Sequence, residues 1–142
     1  MKKRILYVDD NPQNRLLVKR ILHSQGHELL EAIDGESGWN MALRESPDFI
    51  FVDLLLPDID GFELTRQIKA SPELSHIPVV TLTAYGNAEI EQIAKEAGFD
   101  GFLHKPPDRL QIQAILTRFL SVNVVGIVLL EVTQHLTSRI LN

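Results

Sequence analysis

Five short apolar runs, at residues 4–8, 28–32, 48–53, 77–82 and 100–104, set the limits on what this chain can become. Each is too short for a core helix, and short apolar runs bounded by polar residues are what strands buried on both faces look like. Between them the apolar residues fall at helical period. In 87–98, Ile90, Ile93, Ala94 and Ala97 lie at i, i+3, i+4 and i+7, one face of a helix. Asn87 is placed to cap that helix and Gly98 to stop it. The first helix has Asn11 as its cap and Pro12 at its first position, with Leu17, Val18, Ile21 and Leu22 expected to face the core. The second, near 35–45, groups Trp39, Ala42 and Leu43. The third runs from about Gly61 to Ala70, and the last carries Ile112, Ile115, Leu116 and Phe119. Strands alternating with helices argue for an α/β fold, a parallel sheet covered on both faces.

Acids stand where two of these runs end: Asp9 and Asp10 after the first, Asp53 at the end of the third. If those strands lie side by side and parallel, their carboxyl ends bring all three acids into one crevice, where open α/β sheets bind ligands. Crowded carboxylates repel, so one must take up a proton or the group must bind a cation. A hard divalent ion held by oxygen suits such a site, and Mg²⁺ also tends to bring a phosphate.

A chain of 142 residues fits one domain that buries roughly two-thirds of its unfolded surface. The net charge of −5 argues against sequence-independent nucleic-acid binding, which needs a basic patch. With no cysteine, disulfides and thiolate chemistry are excluded, and a cytoplasmic location is expected. The basic start is followed only by the apolar run 5–8, too short for a secretory core. No stretch approaches the roughly 20 apolar residues of a spanning helix, so no membrane partner is expected. The five histidines have no metal-ligand spacing.

Taken in order, these residues resemble the receiver domain of bacterial response regulators over roughly residues 3–120. The resemblance rests on Asp9-Asp10 after the first strand, Asp53 after the third, Thr83-Ala84 after the fourth and Lys105-Pro106 after the fifth. The intervals of 30 residues from Asp53 to Thr83 and 22 from Thr83 to Lys105 also match. Asp53-Leu-Leu-Leu-Pro57, with Gly61 soon after, looks like the family's phosphorylation-site loop. The resemblance implies a flavodoxin-like, doubly wound sheet of five parallel strands in the order 2-1-3-4-5, with five helices; a member of this family is a standard example of that order.

The resemblance further implies that Asp53 accepts a phosphoryl group from the phosphohistidine of a histidine kinase or phosphotransfer protein. Asp10, Asp53 and the main-chain carbonyl of Leu55 would hold Mg²⁺, with Asp9 acting largely through water. Thr83 would hydrogen-bond the phosphoryl group and Lys105 would pair with it, across a cis bond to Pro106. Phe102 stands at the switch aromatic, next to a face that would meet a downstream protein. The chain would then be a phosphoacceptor that assists its own phosphorylation and dephosphorylation, and not an enzyme. Phe102 serves equally as core filling, Trp39 is expected in the core, and Tyr85 could modulate or shield the site. Leu55, Pro107 and Phe99 depart from the family's usual residues, which touches phosphoryl lifetime and output face and leaves the site intact.

Three other readings compete, one of which keeps the fold but makes the chain a non-phosphorylated interaction module, against which the intact acidic site argues. Asp58-Ile-Asp60-Gly61 contains the Asp-x-Asp-Gly string of haloacid-dehalogenase-type phosphatases, although Pro57 separates it from the strand and Phe62 replaces the expected Thr. The chain could also be a receiver excised from a larger hybrid kinase or regulator. Residues 121–142 form a C-terminal extension whose stripe Val125, Val128, Val132, Leu136 and Ile140 suggests a continued helix and a homodimer. A sixth strand through 122–132 is the competing reading.

Overall fold

The structure, a computed structural model, describes residues 2–120. The expectations for 121–142 lie outside the described residues. Five βα units follow one another: β1 (Arg4–Val8), α1 (Pro12–Ser24), β2 (Glu28–Ala32), α2 (Gly35–Glu45), β3 (Phe49–Val52), α3 (Gly61–Ala70), β4 (Val79–Thr83), α4 (Ala88–Ala97), β5 (Gly101–His104) and α5 (Arg109–Phe119). All neighbouring strands are parallel, in the order β2-β1-β3-β4-β5.

Side chains alternate across the sheet with the period of two that a strand imposes. Leu6, Val8, Ile50, Val52 and Val79 point to one face, where Ala42 of α2, Leu64 and Ile68 of α3, and Ala94 and Ala97 of α4 cover them. Ile5, Tyr7, Phe49, Phe51, Val80 and Leu82 point to the other, under Val18, Ile21 and Leu22 of α1 and Ile112, Ile115 and Leu116 of α5. Phe49, Ile50, Phe51 and Val52 are fully buried on alternate faces. Burial of each such side chain is worth about 1.5–3 kcal/mol before entropy is counted. The interior of the sheet is therefore rigid, and its carboxyl edge is where polar chemistry can sit.

Helix starts are fixed by side-chain caps. The Asn11 side-chain oxygen accepts from the N–H groups of Gln13 (2.8 Å) and Asn14 (3.1 Å), with Pro12 at the first position. Asp60, Asn87 and Asp108 each cap the helix that follows them, and Asp34 and Asp108 form full capping boxes. Gly98 ends α4 in the left-handed region at φ 108°, a conformation that costs glycine little.

Three helical faces differ from their sequence expectation. Leu17, Leu43 and Ile93 are exposed at 39%, 40% and 42%. In α2 and α4 the reason is close approach. Gly35, Gly38 and Ala42 bury the inner side of α2, and Ala94 and Ala97 that of α4, so the larger residues are displaced to the flanks. Trp39 is accordingly half-buried against the core. Among the described residues no helix is long and apolar enough to cross a membrane.

Candidate functional site

The register of β1 and β3 places Val8 opposite Val52, so Asp9 and Asp53 leave the sheet side by side. The Asp53 N–H donates to Val8 O at 3.0 Å, extending the ladder to the acid itself. One carboxylate oxygen each from Asp9, Asp10 and Asp53 can be chosen so that all lie within 4.8 Å of one another. Asp9 is fully buried, Asp53 is 7% exposed and Asp10 is open to solvent. Three convergent hard oxygen donors, one of them open to water, fit a divalent cation of the Mg²⁺ class.

Lys105 reaches the same crevice from the far side of β4. Its N–H donates to Thr83 O at 2.9 Å, which ties the chain after β5 to the end of β4. Its Nζ lies 2.6 Å from Asp9 Oδ2 and 3.1 Å from Asp53 Oδ2, so one ammonium serves two carboxylates. The Lys105-Pro106 bond is cis.

The two acids titrate in opposite directions despite sharing this partner. Burial pushes the Asp9 carboxyl up, but hydrogen bonds from Lys105, Tyr7 and the Asn11 N–H outweigh it and hold the group below the usual carboxylate range. Burial also pushes Asp53 up, and there it prevails: Lys105 works against it, the Asp9 charge reinforces it, and the Leu55 N–H is a distant donor at 3.5 Å.

Tyr7 and Asn14 were not singled out by sequence reasoning. The Tyr7 hydroxyl donates to Asp9 Oδ2 at 2.6 Å and Asn14 Nδ2 donates to the same oxygen at 3.2 Å. The signal was present for Tyr7. It stands two residues before Asp9, hence on the same face of the strand, and a buried tyrosine hydroxyl usually finds a partner. Burial, then the adjacent Asp9, drive its phenol far above the ordinary value, so it stays a donor.

Thr83 is fully buried, and its hydroxyl oxygen accepts from the Tyr85 N–H at 3.0 Å. Leu55 and Tyr85 are exposed at 57% and 61%. Phe102 pairs in register with Thr81, is partly buried against the core, and lies edge-on to the His104 ring at 5.3 Å. Phe99 is buried and packs edge-on to Phe62, and Pro107 is buried beside the site.

The Asp-x-Asp-Gly string has structural employment. Asp58 accepts from the N–H groups of Gly35 (2.7 Å), Glu36 (2.9 Å) and Ile59 (2.8 Å), fastening the loop after β3 to the start of α2, while Asp60 caps α3. A carboxylate so engaged is a poor nucleophile, which weighs against the phosphatase reading.

Comparison with known proteins agrees with this geometry. The family model for the response regulator receiver domain matches residues 5–117. The response regulator PleD of Caulobacter vibrioides is 38% identical over 122 residues, 84% of this chain and 27% of that protein. The chain thus spans about a quarter of the length of that relative. The polar-differentiation response regulator DivK of Brucella anthropi is 31% identical over 106 residues, 75% of this chain and 86% of that protein. The receiver domain of a sensor histidine kinase from Pseudomonas aeruginosa, solved with a magnesium ion coordinated in its active-site cleft, superposes with a TM-score of 0.77 at 33% identity, covering 84% of this chain and 98% of that one. With the crevice of acids and the strand order already in place, these matches identify the chain as a member of the response regulator receiver domain family.

Proposed function

We propose that this chain is a phosphorylation-dependent switch in which Asp53 accepts a phosphoryl group from the phosphohistidine of a histidine kinase or phosphotransfer protein. The observation that carries the reading is the single Lys105 ammonium set between Asp9 and Asp53 at the end of a parallel sheet, beside Asp10. Phosphoryl transfer asks a protein mainly for positioning and charge stabilisation. An Asp53 oxygen attacks phosphorus, the P–N bond breaks, and the imidazole nitrogen keeps the electron pair and takes a proton from solvent. The product is an acyl phosphate.

Asp9, Asp10, Asp53 and the main-chain carbonyl of Leu55 would hold Mg²⁺, which supplies charge neutralisation at the transferring group. Lys105 turns from Asp9 to a phosphoryl oxygen. Thr83 already accepts the Tyr85 N–H, so its own proton is free for another phosphoryl oxygen. As Thr83 moves inward, Phe102 follows into the vacated space and alters the face of α4, β5 and α5 that a downstream protein reads. The chain is a phosphoacceptor, not an enzyme with a turned-over substrate, and works in the cytoplasm. Its short span relative to PleD leaves a place for it as the receiver of a larger regulator.

Incubation with acetyl phosphate and Mg²⁺ tests this. The native chain gains about 80 Da, roughly the mass of one phosphoryl group, and Asp53→Asn gains nothing, because an amide cannot act as the nucleophile. A full gain by the Asn variant would refute Asp53 as the acceptor.

A further inference from the structure

We infer that Arg15 is a positioning residue whose guanidinium fixes the Asp9–Asp10 peptide and so aims Asp10 at the divalent cation. The inference deepens the proposed function and rests on its Mg²⁺ site.

Asp10 is the acid of the crevice with the least side-chain support. It is open to solvent, and among the described residues no hydrogen bond or ion pair reaches its carboxylate. The Asp9 carboxylate, by contrast, is held by Tyr7, Asn14, Lys105 and the Asn11 N–H. The direction of Asp10 therefore depends on its backbone. The carbonyl of Asp9 belongs to the peptide that leads into Asp10, and a planar peptide turns as a unit. Arg15 Nη1 donates to that carbonyl oxygen at 2.7 Å. On the other side of the same residue, the Asp9 N–H donates to Ala32 O at 3.0 Å. Rotating the peptide would break the Arg15 bond.

Arg15 is built into this place from two sides. It lies near the start of α1, where helical side chains lean back toward the N-terminus, so it reaches the turn between β1 and α1. Its side chain is only 14% exposed, and its Nε donates to Glu31 Oε1 at 3.1 Å. Glu31 stands on β2 opposite Tyr7. Two nitrogens of one rigid plane thus join the turn to the neighbouring strand. Lysine offers one nitrogen on a flexible stem and cannot span both partners in this way.

The guanidinium also brings positive charge toward the crevice, which by itself would oppose a cation. Glu31 offsets much of that charge. The two effects have opposite signs: losing charge alone tightens cation binding, whereas losing the orientation of Asp10 weakens it. Groups that orient metal ligands are typically worth about 10–100-fold in affinity. An exposed ligand such as Asp10 belongs at the low end of that range, so orientation prevails and a loss of about tenfold is expected.

The test is calorimetric titration of the full chain with Mg²⁺, comparing the native protein with Arg15→Lys and Arg15→Gln. Arg15→Lys keeps the charge and the helix, so it decides the matter should Arg15→Gln lose its fold. Both variants are expected to bind Mg²⁺ about tenfold more weakly. Native-like affinity in either folded variant would overturn the inference. Tighter binding by Arg15→Gln would also overturn it, because charge would then outweigh orientation. A native chain that binds no Mg²⁺ would overturn the metal site and the inference with it. A native chain that binds Mg²⁺ but takes up no phosphoryl group from acetyl phosphate would overturn the phosphoacceptor reading, while weaker Mg²⁺ binding in both variants would still bear the inference out.

Discussion

Gly61→Ala should damage the site from a distance, and its cost can be built from the structure. Gly61 opens α3, but its Cα faces the turn just after β3. An added Cβ would sit 2.8 Å from Leu54 Cα and 3.0 Å from Asp53 C, and closer still to Asp53 O. These are backbone atoms, so no side chain can swing aside. Either α3 moves outward or the Asp53–Leu54 peptide moves, and the 2.9 Å bond from Gly61 N–H to Leu54 O stretches in both cases. Overpacking of this kind costs about 1–3 kcal/mol, and a strained hydrogen bond adds up to about 1 kcal/mol. The helix propensity of alanine returns at most about 1 kcal/mol, less at a first helical position. The net expectation is a loss of about 2 kcal/mol, or roughly 6–10 °C in Tm for a domain of this size. Urea denaturation with and without Mg²⁺ measures both parts: stability falls, and the Mg²⁺-dependent gain shrinks because Asp53 has been displaced. Gly98→Ala is the control. It is strained by φ 108°, yet lies at the end of α4 away from the acids, so it should lose stability while keeping the Mg²⁺ effect. A Gly61→Ala chain with native stability and a native Mg²⁺ response would refute the steric reasoning.

Lys105→Met leaves Asp9 and Asp53 without their shared cation; removing one partner of such a group typically costs about 3–5 kcal/mol when fully buried, and somewhat less at this crevice edge. Added Mg²⁺ should recover more stability in this variant than in the native chain, and melting curves without that difference would count against the shared-cation account. For Mg²⁺ itself, the native chain should gain RT ln(1 + [L]/Kd) of stability and Asp10→Ala should gain less; identical curves in EDTA and millimolar Mg²⁺ would sink the metal site. Asp58→Ala should lose about 0.5–2 kcal/mol, as for a lost helix cap, while still taking up phosphoryl from acetyl phosphate; a loss of uptake with stability intact would bring the phosphatase-type reading back. His27 is held below the ordinary imidazole range, first by burial and then by nearby positive charge including Lys3, with Asp48 acting the other way. The unfolded chain therefore binds its proton first, and stability should fall as pH drops from about 6.5 through the folded value. That slope, followed by urea midpoints, should flatten in His27→Gln, and an unchanged slope would assign the pH dependence elsewhere.

What the sequence made legible follows from how local each signal is. Strand β1 and helix α3 coincide with the expected residues because an apolar run and an Asp-Gly start bound them on both sides. Strand β3 spans Phe49–Val52, without the Asp48 and Asp53 of its expected span, although the N–H groups of both still donate to β1 carbonyls, at Arg4 and Val8. The first register position of the β3–β4 pair is Val79, opposite Ile50; Ile77 and Pro78 precede the strand, and Thr83 completes it. Helical faces were less legible. Periodicity identifies a stripe but not how near the helix lies, and the small residues of α2 and α4 set that distance. The site acids were readable because strand ends in a parallel sheet converge, and Lys105 because it stands in the ordered motifs that carry the family resemblance. Tyr7 and Asn14 escaped because each acts through a neighbour that was already assigned.

The acids around the β3–α3 loop show why spacing finds a site but does not rank its members. Asp53, Asp58 and Asp60 fall within eight residues of one another and are chemically identical. Their fates differ by the donors that the fold brings to them. Asp60 accepts the Glu63 N–H and is spent as a cap. Burial pushes Asp58 up, but the main-chain N–H groups of Gly35, Glu36 and Ile59 together outweigh it and hold the carboxyl below the ordinary range. Asp53 has one remote N–H and a lysine shared with Asp9, so burial prevails and its carboxyl is raised. A carboxylate whose lone pairs are committed to N–H donors is a weak nucleophile, whereas one poorly supplied keeps electron density available for attack. The fold assigns reactivity by withholding hydrogen bonds from Asp53 and lavishing them on Asp9 beside it. Asp9 can then carry fixed negative charge, and of the two buried acids Asp53 is left with the less committed oxygens.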